Sequence, residues 1–167
     1  ATCRFGAIDI DVYPLDLEHL AREVGALKLP LILCRSKSGG AHLYIFTAEP
    51  VPAELLRNRL MEWALVLGYA GVEAFPKQTR LASQHDTGNW INMPYQVGER
   101  SVRYAIDAEG KRLPPEAFLD AASAGAVSLA ALENFTLDKT DDPFADGPPC
   151  LQSLAKRGFP KGSMNNG

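Results

Sequence analysis

Read for alternation and helical period, the chain runs strand, helix, strand, strand, helix, strand. In the stretch Phe5-Gly6-Ala7-Ile8-Asp9-Ile10-Asp11-Val12-Tyr13, Ile8, Ile10 and Val12 face one way and Asp9 and Asp11 the other. After Pro14 and Asp16, the residues Leu17, Leu20, Ala21, Val24 and Leu27 recur at helical spacing, and Pro30 ends that helix. Leu31 to Cys34 is a short apolar run that reads as a buried strand. It leads through Arg35-Ser36-Lys37-Ser38-Gly39-Gly40 into a return strand from Ala41 to Phe46. A second helix is predicted from Pro52 to Leu67, with Gly68 just past its end, and a strand over Gly71 to Phe75. Beyond a polar stretch at 83–101, Val102 to Ile106 and Lys111 to Leu113 flank the turn Asp107-Ala108-Glu109-Gly110 as a hairpin. Pro114 to Ala122 and Ser128 to Glu133 are two short helices. This order predicts an α/β (α+β) fold of the split βαβ type, a mixed or antiparallel sheet with helices packed on it.

A length of 167 residues fits one domain with a small appendage. The Pro/Asp/Gly-rich stretch 141–149 reads as a linker, dividing a domain at 1–140 from the start of a C-terminal unit at 150–167. The missing initiator Met and the end at Asn-Asn-Gly are read as marks of a fragment of a longer polypeptide. No apolar run approaches the ~20 residues of a membrane span, and no signal peptide is recognisable. Cys3, Cys34 and Cys150 are scattered and form no Cys-x-x-Cys pair, which points to reduced thiols in a cytoplasm. A net charge of −3 argues against a broadly basic nucleic-acid coat but leaves a local basic groove open.

Three islands carry candidate chemistry. Asp9 and Asp11, ~6–7 Å apart on one strand face, are either a polar outer face or a pair converging on divalent cations. The turn Ser36-Lys37-Ser38-Gly39-Gly40-Ala41-His42 offers close backbone approach, the charges of Arg35 and Lys37, and His42 as a donor to a phosphate oxygen. It also reads as an ordinary Gly-Gly hairpin with a surface histidine. Glu73 lies among Val72, Ala74 and Phe75; it either joins Asp9 and Asp11 in a hard-oxygen site or faces water at a strand edge. Lys77 and Arg80 follow as neutralising or solvated charges, and Asn89 and Asn92 as base or backbone contacts or as turn residues. Trp90 is read as core rather than a stacking platform, and His85 and Asp86 receive no ligand role because their spacing with His42 fits no metal site.

Together, Asp9-Ile10-Asp11, the hairpin ending in His42 and Val72-Glu73-Ala74-Phe75-Pro76-Lys77-Gln78 resemble the catalytic domain of the archaeo-eukaryotic primase superfamily, nearest to primase-polymerases of phages, plasmids and mobile elements. The likeness spans about residues 5–95. The tail from Pro148 through Pro160-Lys161-Gly162 to Asn166 is similar to the segment that follows such primase domains and leads towards a helicase or C-terminal module.

The resemblance implies an RRM-like catalytic core and nucleotidyl transfer directed by single-stranded DNA. It implies Mg²⁺ or Mn²⁺ on Asp9, Asp11 and Glu73, and nucleoside triphosphate phosphates at His42, assisted by Ser36, Lys37, Ser38 and Lys77. It further implies a primer or template strand, a fused or associated helicase, and a bacterial or phage-infected cytoplasm, with no membrane. Two residues depart from the family pattern: Gly40 stands where a Ser commonly precedes the His by two places, and the third acid is Glu rather than Asp. The subdomain that usually precedes the acidic pair is not in this stretch. The competing expectations are a metal-dependent single-stranded-DNA nuclease, for which no His-x-His occurs, and a non-catalytic nucleic-acid-binding module.

Overall fold

The computed structural model describes residues 1–80 and 88–137. Residues Ala1–Phe135 form one compact unit, and the second, Thr136–Gly167, lies almost wholly outside the described residues. The predicted linker at 141–149, the appendage at 150–167, and His85 with Asp86 all fall outside them as well.

The unit is built on a five-stranded antiparallel sheet. Its elements are β1 (Thr2–Ile10), α1 (Leu17–Ala26), β2 (Ile32–Arg35), β3 (Ala41–Pro52), α2 (Ala53–Val66), β4 (Glu73–Phe75), β5 (Tyr104–Ala105), α3 (Pro115–Ala124) and α4 (Leu129–Glu133). The strand order is β4-β1-β3-β2-β5. β3 lies between β1 and β2, and β1 lies between β3 and β4, so each helical crossover spans a split βαβ unit, as the sequence order predicts.

One face of the sheet is closed by α2. Gly6, Ile8 and Ile10 of β1 and Leu43 and Ile45 of β3 are buried there, and α2 contributes buried Leu56, Leu60 and Trp63. Gly6 is required by that packing: a Cβ would stand 2.7 Å from both Leu60 Cδ1 and the Phe75 carbonyl oxygen. α1 starts where Asp16 accepts a hydrogen bond from the His19 amide at 2.9 Å, and it buries Leu20, Ala21 and Val24. α4 is capped by Ser128 and held to α2 by Arg59, which donates to the carbonyls of Leu132 and Glu133 at 2.9 and 2.7 Å.

The other face carries the odd-numbered residues of β1 together with His42, Tyr44 and Phe46 of β3 and Glu73 and Phe75 of β4. Ala7, Cys34, Tyr44 and Ala105 pack there against Phe118 of α3. This second layer covers only part of the face, which leaves the acidic end open.

The sequence placed several boundaries differently. β1 begins earlier than expected and ends at Ile10, so Asp11 and Val12 lie outside it, with Val12 exposed. β3 continues to Pro52, where Val51 and Pro52 still pair with the start of β1. The predicted 102–113 hairpin reduces to the two residues of β5 and an isolated Ile106–Arg112 bridge, because Tyr104 and Ala105 pair with Arg35 and Cys34 instead.

Candidate active site

Register alone brings the first and last sequence islands together. On β1, Asp9 stands directly opposite His42 of β3 on one side and Glu73 of β4 on the other. Directly opposed residues of an antiparallel pair lie ~4.5–5.5 Å apart at Cα. Residues 33 and 64 positions away are thereby made neighbours of one carboxylate.

The side chains are arranged as follows. His42 Nε2 lies 3.2 Å from Asp9 Oδ1, an ion-pair approach. It is not aligned as a hydrogen bond, and Oδ1 is buried with no hydrogen-bond partner. On its other side, His42 Nδ1 is 2.9 Å from the Tyr44 hydroxyl, which in turn donates to the carbonyl of Asn92 at 2.6 Å. Burial pushes the Tyr44 phenol far above the usual tyrosine range, so it keeps its single proton. That proton goes to the Asn92 carbonyl, an acceptor only, so Nδ1 is the donor towards Tyr44. With Nδ1 so committed, Nε2 is the ring nitrogen left facing Asp9.

Asp11 and Glu73 are turned to other partners. The Tyr13 hydroxyl lies 2.9 Å from Asp11 Oδ1 and 2.8 Å from Ser38 Oγ. A phenol has one proton, so it donates to the carboxylate and accepts from the serine. This pins the end of β1 to the β2–β3 turn. Glu73 Oε2 pairs with Lys77 Nζ at 2.6 Å, and the Glu73 side chain is 58% exposed. The apolar neighbours in sequence therefore do not bury its charge; it takes the water-facing edge position. An exposed pair of this kind contributes about 0–1 kcal/mol, so Glu73 exchanges partners at little cost. Lys77 Nζ also lies 5.0 Å from the Phe75 ring centroid.

In the turn, Gly40 allows the chain to close over β1: a Cβ there would collide with the Ile10 carbonyl oxygen. This is the physical reason a serine does not fit at that place. The position of that missing Cβ lies 3.3 Å from Ser36 Oγ, a buried hydroxyl with no hydrogen-bond partner. Ser36 thus presents a hydroxyl beside the site from four residues upstream. Its amide is spent on the Gly40 carbonyl at 2.8 Å, and the Gly39 amide on the Ser36 carbonyl at 3.3 Å. Lys37 and Ser38 are exposed at the turn. Arg35 does not face it: its guanidinium donates to the carbonyls of Ser36 and Val102, both at 3.1 Å.

These contacts decide how far the acids fit a divalent cation. Asp9 supplies a buried carboxylate oxygen without a hydrogen-bond partner, the feature a cation would satisfy. Glu73 is beside it by register, and Asp11 two residues on. Yet among the described residues no three acidic, histidine or cysteine side chains converge as a metal-binding group. The backbone positions suit a hard-oxygen site; the side chains of Asp11 and Glu73 would have to turn from Tyr13 and Lys77 to complete it.

The comparison with protein families decides the lineage. Residues 1–114 match the model of the archaeo-eukaryotic primase domain of the TOTE conflict system. The chain belongs to the archaeo-eukaryotic primase family. The matched segment contains β1 to β5 and every residue of the site described above. No curated protein matches the chain. The family description places this primase domain with a conflict system, and a phage or plasmid setting remains an expectation. Among the described residues, no helix is long and apolar enough to cross a membrane.

Sequence reasoning gave no role to Tyr44, inside the return strand, or to Tyr13, at the end of the first stretch. Tyr44 sits two residues after His42 on the same strand face, so period-two reading was the available signal. Trp90, read as core, is 78% exposed. For Asn92 the described contact is made by the backbone carbonyl, not the side chain.

Proposed function

We propose that this primase domain is a nucleotidyltransferase that makes or extends a strand on a single-stranded DNA template. The observation that carries the proposal is Asp9: a buried carboxylate oxygen without a hydrogen-bond partner, flanked on adjacent strands by His42 and Glu73. In this reading Asp9, Asp11 and Glu73 hold Mg²⁺ or Mn²⁺, hard cations that favour carboxylate oxygens. When bound, such ions lower the pKa of a 3′-hydroxyl and stabilise charge on a leaving pyrophosphate.

The chain's own residues do the positioning. His42, held by Tyr44, presents Nε2 to the phosphates of a nucleoside triphosphate once Asp9 is engaged elsewhere. Ser36, Lys37 and Ser38 line the turn beside it, and Lys77, released from Glu73, adds a second positive charge. Orientation and preorganised charge supply the acceleration. A cytoplasmic setting belongs to the same proposal.

A second reading has its own support. The lack of a converged three-ligand group among the described residues favours a module that binds nucleic acid or nucleotide without turnover. The deciding experiment is incorporation of labelled nucleotides on a primed and an unprimed single-stranded template with Mg²⁺ or Mn²⁺. Synthesis that disappears in the Asp9→Ala, Asp11→Ala double variant supports transfer. Full synthesis by that variant removes these carboxylates from the reaction. Triphosphate binding that ignores Mg²⁺, with no product, establishes the second reading.

A further inference from the structure

The sheet face that carries Asp9 continues, away from the turn, into an aromatic cleft of about 280 Å³. Phe5, Phe75, Pro76, Asn89, Trp90 and Ile91 are among the residues that line it. Phe75 pairs with Ala7, two residues from the Asp9–Glu73 pair, so the cleft starts one pleat repeat from the acids, ~7 Å along the strand. Phe5 is 41% exposed and Trp90 78%. A tryptophan this exposed keeps little of the favourable free energy of apolar burial, and here it stands over a gap walled by two phenylalanines.

We propose that this cleft receives an unstacked base of the single-stranded nucleic-acid strand on which the domain acts, with Trp90 as the stacking surface. The inference rests on the nucleotidyl-transfer reading for the identity of the strand, but not for the existence of the cleft. Aromatic faces next to positive charge are the usual platform for single-stranded bases, because every base offers a π-face. Lys77, over the Phe75 ring, supplies that charge at the rim. The volume lies just below the ~300 Å³ at which pockets for whole drug-sized ligands begin, which suits one ring system rather than a complete nucleotide.

Position decides between the strand and the incoming nucleotide. The turn with Ser36, Ser38 and His42 meets β1 at its Asp11 end, through Tyr13 and Ser38. His42 stands opposite Asp9, and Phe5 lies four residues from Asp9, ~13 Å of strand. The strand that lies across the acids from the turn is therefore a nearer source of a base for Phe5 and Trp90 than a nucleotide whose phosphates rest on the turn.

The test uses intrinsic fluorescence, since the chain has two tryptophans and Trp63, on α2, is buried. The 167-residue chain is titrated with a twelve-nucleotide oligo-dT, with an abasic strand of the same length, and with dTTP plus Mg²⁺. The expected result is quenching by oligo-dT alone. Its affinity, read for each variant by the fluorescence anisotropy of a dye-labelled oligo-dT, should fall roughly 5- to 100-fold in Trp90→Ala and recover in Trp90→Phe. Absence of quenching, equal binding of the abasic strand, or unchanged affinity in Trp90→Ala overturns the proposal. Quenching by dTTP alone also overturns it, assigning the cleft to the nucleotide. Template-directed synthesis that ignores Trp90→Ala removes the cleft and leaves the transfer reading standing. Trp90-dependent strand binding with no synthesis by the unaltered chain removes the transfer reading and leaves the cleft.

Discussion

The two faces of β1 are made from alternate residues of one strand and obey different rules. The face under α2 is complete: Ile8 and Ile10 are fully buried, and Gly6 has no side chain because Leu60 and the Phe75 carbonyl occupy the space. The opposite face leaves groups unfinished. Asp9 Oδ1 and Ser36 Oγ are buried without hydrogen-bond partners, Glu73 is held only by an exposed lysine, and Trp90 is solvated. Packing is optimised where nothing has to bind, and left incomplete where something must. Stability and activity should therefore separate by residue parity along a single strand.

The largest separation is expected at Asp9. Asp9→Asn keeps the shape but removes the charge, and nucleotide incorporation should fall by about a hundredfold or more, the scale of losing one preorganised electrostatic group. The melting temperature should stay about the same, because asparagine keeps the shape and its amide can donate to His42 Nε2, the ring nitrogen not engaged by Tyr44. Steady-state incorporation and thermal unfolding measured on the same sample check both halves. A large loss of stability would mean that Asp9 is structural.

On the other face the effect reverses. Leu60→Ala removes a fully buried side chain from α2 and should destabilise the unit by about 2–5 kcal/mol. At temperatures where the variant is still folded, incorporation per folded molecule should be unchanged, since Leu60 faces away from Asp9. Denaturant unfolding and active-site titration together measure this. A specific activity that falls in step with stability would show that the two faces are not independent.

Gly40→Ser sharpens the comparison at the seam between the faces. Supplying the serine that the resemblance leads one to expect should not improve the site. Its Cβ would run into the Ile10 carbonyl, a backbone atom that cannot swing aside, so a destabilisation of about 1–3 kcal/mol is expected. Ser36→Ala, by contrast, removes a hydroxyl with no hydrogen-bond partner and should leave stability within about 0.5 kcal/mol. If Ser36 serves the phosphates, that change weakens triphosphate binding without touching the melting curve.

Much of this could be read from the sequence, for identifiable reasons. Alternation over Ala7 to Ile10 sets which residues of β1 share a face, and the register of β1 against β3 is what seats His42 opposite Asp9. The 4-1-3-2 arrangement follows from the order of elements, and it seats Glu73 on the other side. Side-chain direction was less accessible. Nothing local tells that Arg35 reaches the Val102 carbonyl, that Lys77 turns back onto Glu73, or that Asp11 is held by Tyr13. Each is a choice among rotamers made by residues distant in the chain. Trp90 was misjudged because burial of an aromatic is decided by what stands above it, and here the sheet's second layer stops short.

A modest effect is expected at Tyr44, and it tests how the open face holds its histidine. Tyr44→Phe removes one hydroxyl and keeps the ring, which stacks on Phe46 at an interplanar angle of 22° and meets His42 edge-on at 74°. Two contacts disappear: the acceptor for His42 Nδ1 and the donor to the Asn92 carbonyl. Losing a buried hydrogen bond of this kind costs about 1 kcal/mol, so the midpoint should drop by about 3 °C. A filler residue would give no more than that. A positioning residue also changes the histidine: its ring nitrogens should shift in ¹⁵N spectra, and KM for nucleoside triphosphate should rise by about three- to tenfold, equivalent to ~0.6–1.4 kcal/mol, with kcat less affected. An unchanged nitrogen spectrum and KM would reduce Tyr44 to packing, and the imidazole would then owe its orientation to Asp9 alone.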